Sequence, residues 1–265
     1  MARIERGEGR RLFGLDTAAY EGGRPGHADE VYDVLRERCG LGAGTKVLEV
    51  GPGTGQATQR LLELGADELV GIEPDHALAD LLRERFGDRV EIRGSTLEEA
   101  ELEDDFDLAA AASSFHWVDE DVGLAKIASA LRPGGWIALW WTGFGDGNRA
   151  DAFRELTDPL TEDLPRGPAE VKDRRPFAHD AENRIGALER AGFVDILPCR
   201  VEWWHTWDTD GIRSLYGSFS PVLSLDPDRR RAFLDSIAEI AERDFGGRVT
   251  KPVVTALYTA WKPDR

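Results

Sequence analysis

Apolar positions along this chain follow two periods that take turns. Over residues 28–38, Val31, Val34 and Leu35 share one helical stripe. Val47-Leu48-Glu49-Val50 is instead a short, nearly continuous apolar run, the pattern of a strand covered on both faces. It runs into Gly51-Pro52-Gly53-Thr54-Gly55 and then a helical stretch from Gln56. The alternation continues with a strand over 69–73, a helix over 77–86, strands over 89–93 and 106–112, a helix over 119–131 and a strand over 136–141. Such interleaving predicts an α/β fold with a mostly parallel sheet and helices on both faces. Further on, helical patterns cover 152–160 and 181–191, the second stopping at Gly192. Val194–Trp204 and Pro252–Trp261 read as strands that close the sheet as an antiparallel pair, with helical stretches at 209–217 and 227–245 between them.

The glycine loop after the first strand carries the chemistry. Glycines at alternate positions turn the backbone sharply and leave room for a ligand against it. The helix that follows offers free N–H groups to a polar or negative ligand group. A dinucleotide fingerprint requires G-x-G-x-x-G, and Gly51 and Gly53 fit it, but Gln56 stands at its third glycine position. The glycine falls one residue early, at Gly55, and an acid, Glu49, lies inside the strand end. This order resembles motif I of the class I S-adenosylmethionine-dependent methyltransferases. Three more matches follow in sequence. Leu69-Val70-Gly71-Ile72-Glu73-Pro74 ends a second strand in an acid placed for ribose hydroxyls, Phe106-Asp107-Leu108 is similar to the family's fourth strand, and Leu131-Arg132-Pro133-Gly134-Gly135-Trp136 resembles its turn into the fifth.

The resemblance implies a Rossmann-like, seven-stranded sheet with an antiparallel last strand and S-adenosyl-L-methionine as cofactor. It implies a cofactor set of Glu49, Gly51, Gly53, Thr54, Gly55, Glu73, Pro74, Ser95, Thr96, Leu97 and Ser113. Gly94-Ser95-Thr96 stands where the family commonly has Gly-Asp, so Ser95 replaces the acid expected to hold the adenine amino group. Tyr20 and Arg24, in a stretch resembling the family's Y-x-x-x-R-P segment, are candidates for the cofactor carboxylate or the substrate, or for a surface anchor of the N-terminal arm. Ser113-Ser114-Phe115-His116-Trp117-Val118-Asp119 follows the fourth strand and resembles a stretch of the trans-aconitate-methyltransferase-like branch, whose members act on small molecules. His116 is the candidate catalytic residue, as base, donor or packing group. Trp117, Trp141 and Arg213 join it as candidate substrate-binding residues. Arg166, Arg174 and Arg175 are further cations for a substrate carboxylate, with surface solvation as the plainer role.

Composition narrows the acceptor. A net charge of −17 over 265 residues disfavours nucleic acid and anionic membrane. The acidic run Glu98 to Asp105 reads as a solvated loop, not a metal site. Two cysteines, Cys39 and Cys199, suit free thiols in a reducing cytoplasm. The opening residues lack the apolar core of a signal peptide, and no stretch approaches the ~20 apolar residues of a membrane helix. The expected organisation is an N-terminal lid arm and first helix over 1–40 and a cofactor core over 41–142. A cap insert over 143–180, core completion over 181–207, a helical cap insert over 208–247 and a last core strand over 248–265 follow. The function read from these features is methyl transfer to a small metabolite at a carboxylate or hydroxyl oxygen. The competing readings are N- or C-methylation of a natural product or peptide, nicotinamide-dependent oxidoreduction, and a non-catalytic cofactor-binding module.

Overall fold

In the computed structural model, which describes residues 3–15, 17–145, 149, 151–169 and 176–264, the apolar runs become seven strands. They are β1 (Thr45–Val50), β2 (Ala66–Ile72), β3 (Glu91–Arg93), β4 (Phe106–Ala112), β5 (Leu131–Gly143), β6 (Val194–Asp208) and β7 (Arg248–Trp261). The helices in chain order are α1 (Arg6–Gly9), α2 (Thr17–Gly23), α3 (Asp29–Glu37), α4 (Gln56–Glu63), α5 (His76–Phe86) and α6 (Glu120–Ala130). After them come α7 (Ala152–Thr161), α8 (Ala181–Arg190), α9 (Thr209–Gly217), α10 (Ser220–Leu223) and α11 (Pro227–Phe245).

The strands form one sheet in the order β3-β2-β1-β4-β5-β7-β6. The first five are parallel, and Glu49 of β1 stands opposite Gly71 of β2 and Ala110 of β4. β7 runs antiparallel: Gly134 N–H donates to the Lys262 carbonyl while Lys262 N–H donates to that of Gly135. At the other end of the pair β6–β7, the hydroxyls of Thr206 and Thr250 lie 2.7 Å apart. Two-residue periodicity sorts the side chains. Leu48, Val50, Ala109, Ala111, Ile137 and Leu139 pack with Leu124 and Ile127 of α6 and Ala187 and Leu188 of α8. The neighbouring position Trp140 points the other way and meets the ring of Tyr32 from α3 at 6.3 Å.

Several boundaries differ from those the local pattern predicts. The strand expected over 89–93 is only Glu91–Arg93, because Gly87–Arg89 closes a 3₁₀ turn. β2 starts at Ala66, and β5 starts at Leu131, within the stretch read as a turn. Its ladder to β4 shifts register between Phe106 and Leu108, and Gly134, at φ +78°, absorbs the extra residues. β6 runs on to Asp208 and β7 begins at Arg248, ahead of Pro252. Cross-strand pairing extends these strands past the point where their alternation fades.

The chain divides into two units. One comprises 27–141, 169–201 and 255–265 and holds β1 to β4. The other comprises 1–26, 142–168 and 202–254, with its own core of Phe153, Ile212, Leu215, Val222, Ile237 and Val249. Within that second core Lys251 and Asp151 form a buried ion pair at 2.5 Å.

Candidate active site

The tips of β1, β2 and β4 converge on the glycine loop. Gly51 and Gly53 both take left-handed backbone conformations, at φ +67° and +62°. A Cβ on Gly51 would lie 2.6 Å from Ser114 Cβ, so a side chain there collides with the segment after β4. A Cβ on Gly53 would meet nothing within 4 Å among the described residues, which leave open space over it. Gly53 N–H donates to Glu73 Oε2 at 3.0 Å, and Asp75 N–H donates to Glu73 Oε1 at 3.0 Å. The carboxylate after β2 thereby holds the loop after β1. Pro74, half-buried, links Glu73 to Asp75, whose side chain caps α5 by accepting from Ala77 and Leu78 N–H.

Glu49 is 1% exposed. Its Oε2 accepts from Thr58 Oγ1 at 2.7 Å, while Oε1 is buried with no hydrogen-bond partner among the described residues. Burial pushes the Glu49 carboxyl up to about 7; the Thr58 bond opposes this and the nearby Glu73 adds to it. Burial likewise pushes Glu73 up to about 7, against the two N–H donors. Thr54 Oγ1, in the glycine loop, is also buried and without a partner among the described residues. Two buried carboxylates and an unmet acceptor form a site suited to a ligand that brings donors or positive charge.

Beyond β3, Ser95 Oγ donates to the Thr96 carbonyl at 3.0 Å and Thr96 Oγ1 donates to Glu99 Oε2 at 2.9 Å. Leu97 is in the core beside α6. At the end of β4, Ser113 adopts φ +52°, rare for a residue with a Cβ, and its N–H donates to the Trp140 carbonyl at 2.7 Å. Ser114 Oγ donates to the Val50 carbonyl, joining the ends of β4 and β1. Phe115–Trp117 then makes a 3₁₀ turn that buries Phe115 and Trp117 and leaves His116 half-buried. Trp141 Nε1–H donates to His116 Nδ1 at 3.1 Å.

The other candidates belong to the second unit or fall outside the described residues. Tyr20 and Arg24 belong to the second unit, where the Arg24 guanidinium lies 4.5 Å over the Tyr20 ring and donates to the Ser218 hydroxyl and carbonyl. Arg213, the remaining candidate for substrate, pairs with Asp235 at 2.7 Å between α9 and α11 on an exposed surface. Arg166 lends its carbonyl to Ile4 N–H; Arg174 and Arg175 fall outside the described residues. Among the described residues no group of three or more His, Cys, Asp or Glu is placed to hold a metal, and no helix is long and apolar enough to cross a membrane. The sequence reading missed Thr58 and Ser114. Both act across the fold, nine and 64 positions from their partners, and no local pattern announces such a bond.

Residues 48–139 match the methyltransferase domain family. An uncharacterized methyltransferase of Mycobacterium tuberculosis is 30% identical over 229 residues, covering 86% of this chain and 84% of the relative. The chain belongs to the class I S-adenosylmethionine-dependent methyltransferases. Solved structures share the fold of this methyltransferase. The phosphoethanolamine N-methyltransferase 2 of Haemonchus contortus, in complex with phosphomonomethylethanolamine and S-adenosylhomocysteine, aligns with TM-score 0.54 at 17% identity. That alignment covers 96% of this chain and 60% of the larger enzyme. The [4+2]-cyclase SpnF aligns with TM-score 0.58 at 20% identity over 99% of this chain and 98% of the cyclase.

Proposed function

We propose that this methyltransferase methylates a small-molecule acceptor at oxygen, a carboxylate or a hydroxyl. The observation that supports the cofactor site most directly is the pair Glu49 and Glu73 flanking a loop with open space at Gly53. When bound, the cofactor supplies a methyl group on a positively charged sulfur. Glu49 Oε1, buried without a partner among the described residues, suits the cationic amino-acid end. Glu73, which keeps acceptor capacity beyond its two backbone bonds, suits ribose hydroxyls. Thr54, Gly51, Gly55 and Pro74 line the same turn, and Ser95, Thr96 and Leu97 are assigned to the adenine side. His116, Trp117 and Trp141 form the acceptor side of this reading, with Ser113 at the strand end.

A small acceptor agrees with the strongly acidic chain and with the Phe-His-Trp stretch resembling the trans-aconitate-methyltransferase-like branch. Calorimetric titration with S-adenosylhomocysteine tests the site: a Kd of roughly micromolar or tighter is expected. No detectable binding by the intact protein ends the reading. Turnover against a panel of carboxylic acids, phenols and amines then tests the acceptor atom, and methylation of amines alone removes the oxygen assignment.

A further inference from the structure

Trp141, at the end of β5, reaches the 3₁₀ turn after β4 and donates its indole N–H to His116 Nδ1. An indole nitrogen only donates. Nδ1 must therefore present its lone pair, and the neutral ring carries its proton on Nε2 whichever group Nε2 meets. The donor is held firmly. Trp141 is 5% exposed, with the rings of Phe177 and Tyr258 edge-on at 5.4 Å and 6.2 Å. The Tyr258 hydroxyl donates to the Ala178 carbonyl at 2.8 Å, which anchors the turn carrying Phe177. Arg184 lies 3.6 Å over the Phe177 ring and pairs with Glu120 at 2.6 Å, in the first turn of α6. His116 itself packs on Trp117 at 5.1 Å.

We propose that Trp141 is a positioning residue that locks His116 in the Nε2–H tautomer, so that His116 meets the acceptor as a hydrogen-bond donor and not as its base. This rests on the methyl-transfer reading above. The basic lone pair of the neutral ring faces Trp141, and Nε2 has no lone pair with which to take a proton. The acceptor class that fits is one whose nucleophilic oxygen is already ionised near neutral pH. In that step the acceptor oxygen bonds to the methyl carbon as the carbon–sulfur bond breaks, sulfur keeps the electron pair, and no proton moves.

The tautomer is read directly by nitrogen NMR of protein labelled with ¹⁵N-histidine, with His116 identified by its absence in His116→Gln. The expected wild-type spectrum at pH 8 shows His116 protonated at Nε2 alone, and Trp141→Phe converts it to an averaged or Nδ1-protonated pattern. Affinity for S-adenosylhomocysteine should stay within about threefold in Trp141→Phe, separating this effect from loss of the cofactor site. Wild-type His116 protonated at Nδ1, or averaged, overturns the proposal; this result needs no folded variant of Trp141. With an acceptor that turns over, His116→Gln keeps an N–H donor without a base and should hold kcat/KM within about fivefold, against a roughly tenfold loss in His116→Ala. Equal losses of more than about a hundredfold in kcat for both variants, with cofactor affinity intact, assign a base to His116 and overturn the donor role. Failure of the wild-type protein to bind S-adenosylhomocysteine removes the methyl-transfer reading instead and leaves the tautomer spectrum as it was.

Discussion

Glu49 and Glu73 are the residues at which burial and chemistry oppose each other most sharply. Each carboxyl is raised from an ordinary value of 4.5 to about 7 by desolvation. For a carboxyl whose folded value lies above its unfolded one, the contribution to stability is full below about 4.5 and is lost as pH rises through about 7. The ligand-free protein should thus lose stability from these groups between pH 5 and pH 8. A cation in the site favours the ionised forms, so the shift in Tm on adding S-adenosylmethionine should grow across that range; a shift that shrinks contradicts the assignment. The isosteric change Glu49→Gln should raise the ligand-free Tm at pH 8 and weaken cofactor binding, both measurable by calorimetry. The two loop glycines separate folding from binding. Gly53→Val puts a side chain into open space and should abolish S-adenosylhomocysteine binding at a modest cost to stability, from its left-handed φ. Gly51→Ala meets Ser114 as well, so it should lower Tm further than Gly53→Ala in thermal melts.

Elements of the second unit are tied together by a polar contact inside an apolar core. Asp151 caps α7 by accepting from Arg154 N–H and at the same time pairs with Lys251 of β7. Burial pushes the Lys251 ammonium below its usual range, while the bond to Asp151 acts in the opposite direction. Removing one partner of such a pair leaves an uncompensated buried charge, at a cost of about 3–5 kcal/mol. Asp151→Ala should therefore destabilise by about that amount in urea unfolding. Lys251→Met paired with Asp151→Asn should recover most of the loss, because the cap survives and no charge is buried. A single-variant loss below about 1 kcal/mol would show the pair to be solvated. The contrast with Arg213–Asp235 is instructive: that pair is exposed, and Arg213→Ala should change stability by less than about 1 kcal/mol.

Across the whole molecule, the cofactor reading requires that distant stretches of chain respond together. Glu49 to Gln56, Gly71 to His76, Gly94 to Glu98 and Ser113 to Trp117 are separated in sequence, yet they lie at the ends of four neighbouring parallel strands. Hydrogen exchange should slow in these segments together on adding S-adenosylhomocysteine. Protection confined to one of them would place the ligand elsewhere. The fold alone does not dictate the reaction, since a cyclase shares it. The acceptor chemistry must come from particular side chains, and our proposal assigns it to the His116–Trp141 contact.

Local pattern by itself determined the order of strands and helices from β1 to β5, the placement of α7, α8, α9 and α11, and the glycine loop with an acid on either side. Those signals are short-range: side-chain periodicity, glycine punctuation and the strand-end acids all lie within a few residues of one another. Only the tertiary structure decided that β5 begins with a register break, that β6 and β7 outrun their apolar patterns, that Arg213 answers Asp235, and that Thr58 and Ser114 bind the ends of β1. The same holds for the direction of the His116 lone pair. A hydrogen bond between residues 25 positions apart depends on which strand ends meet and which way each side chain leaves the sheet, and neither is encoded within one turn or one strand.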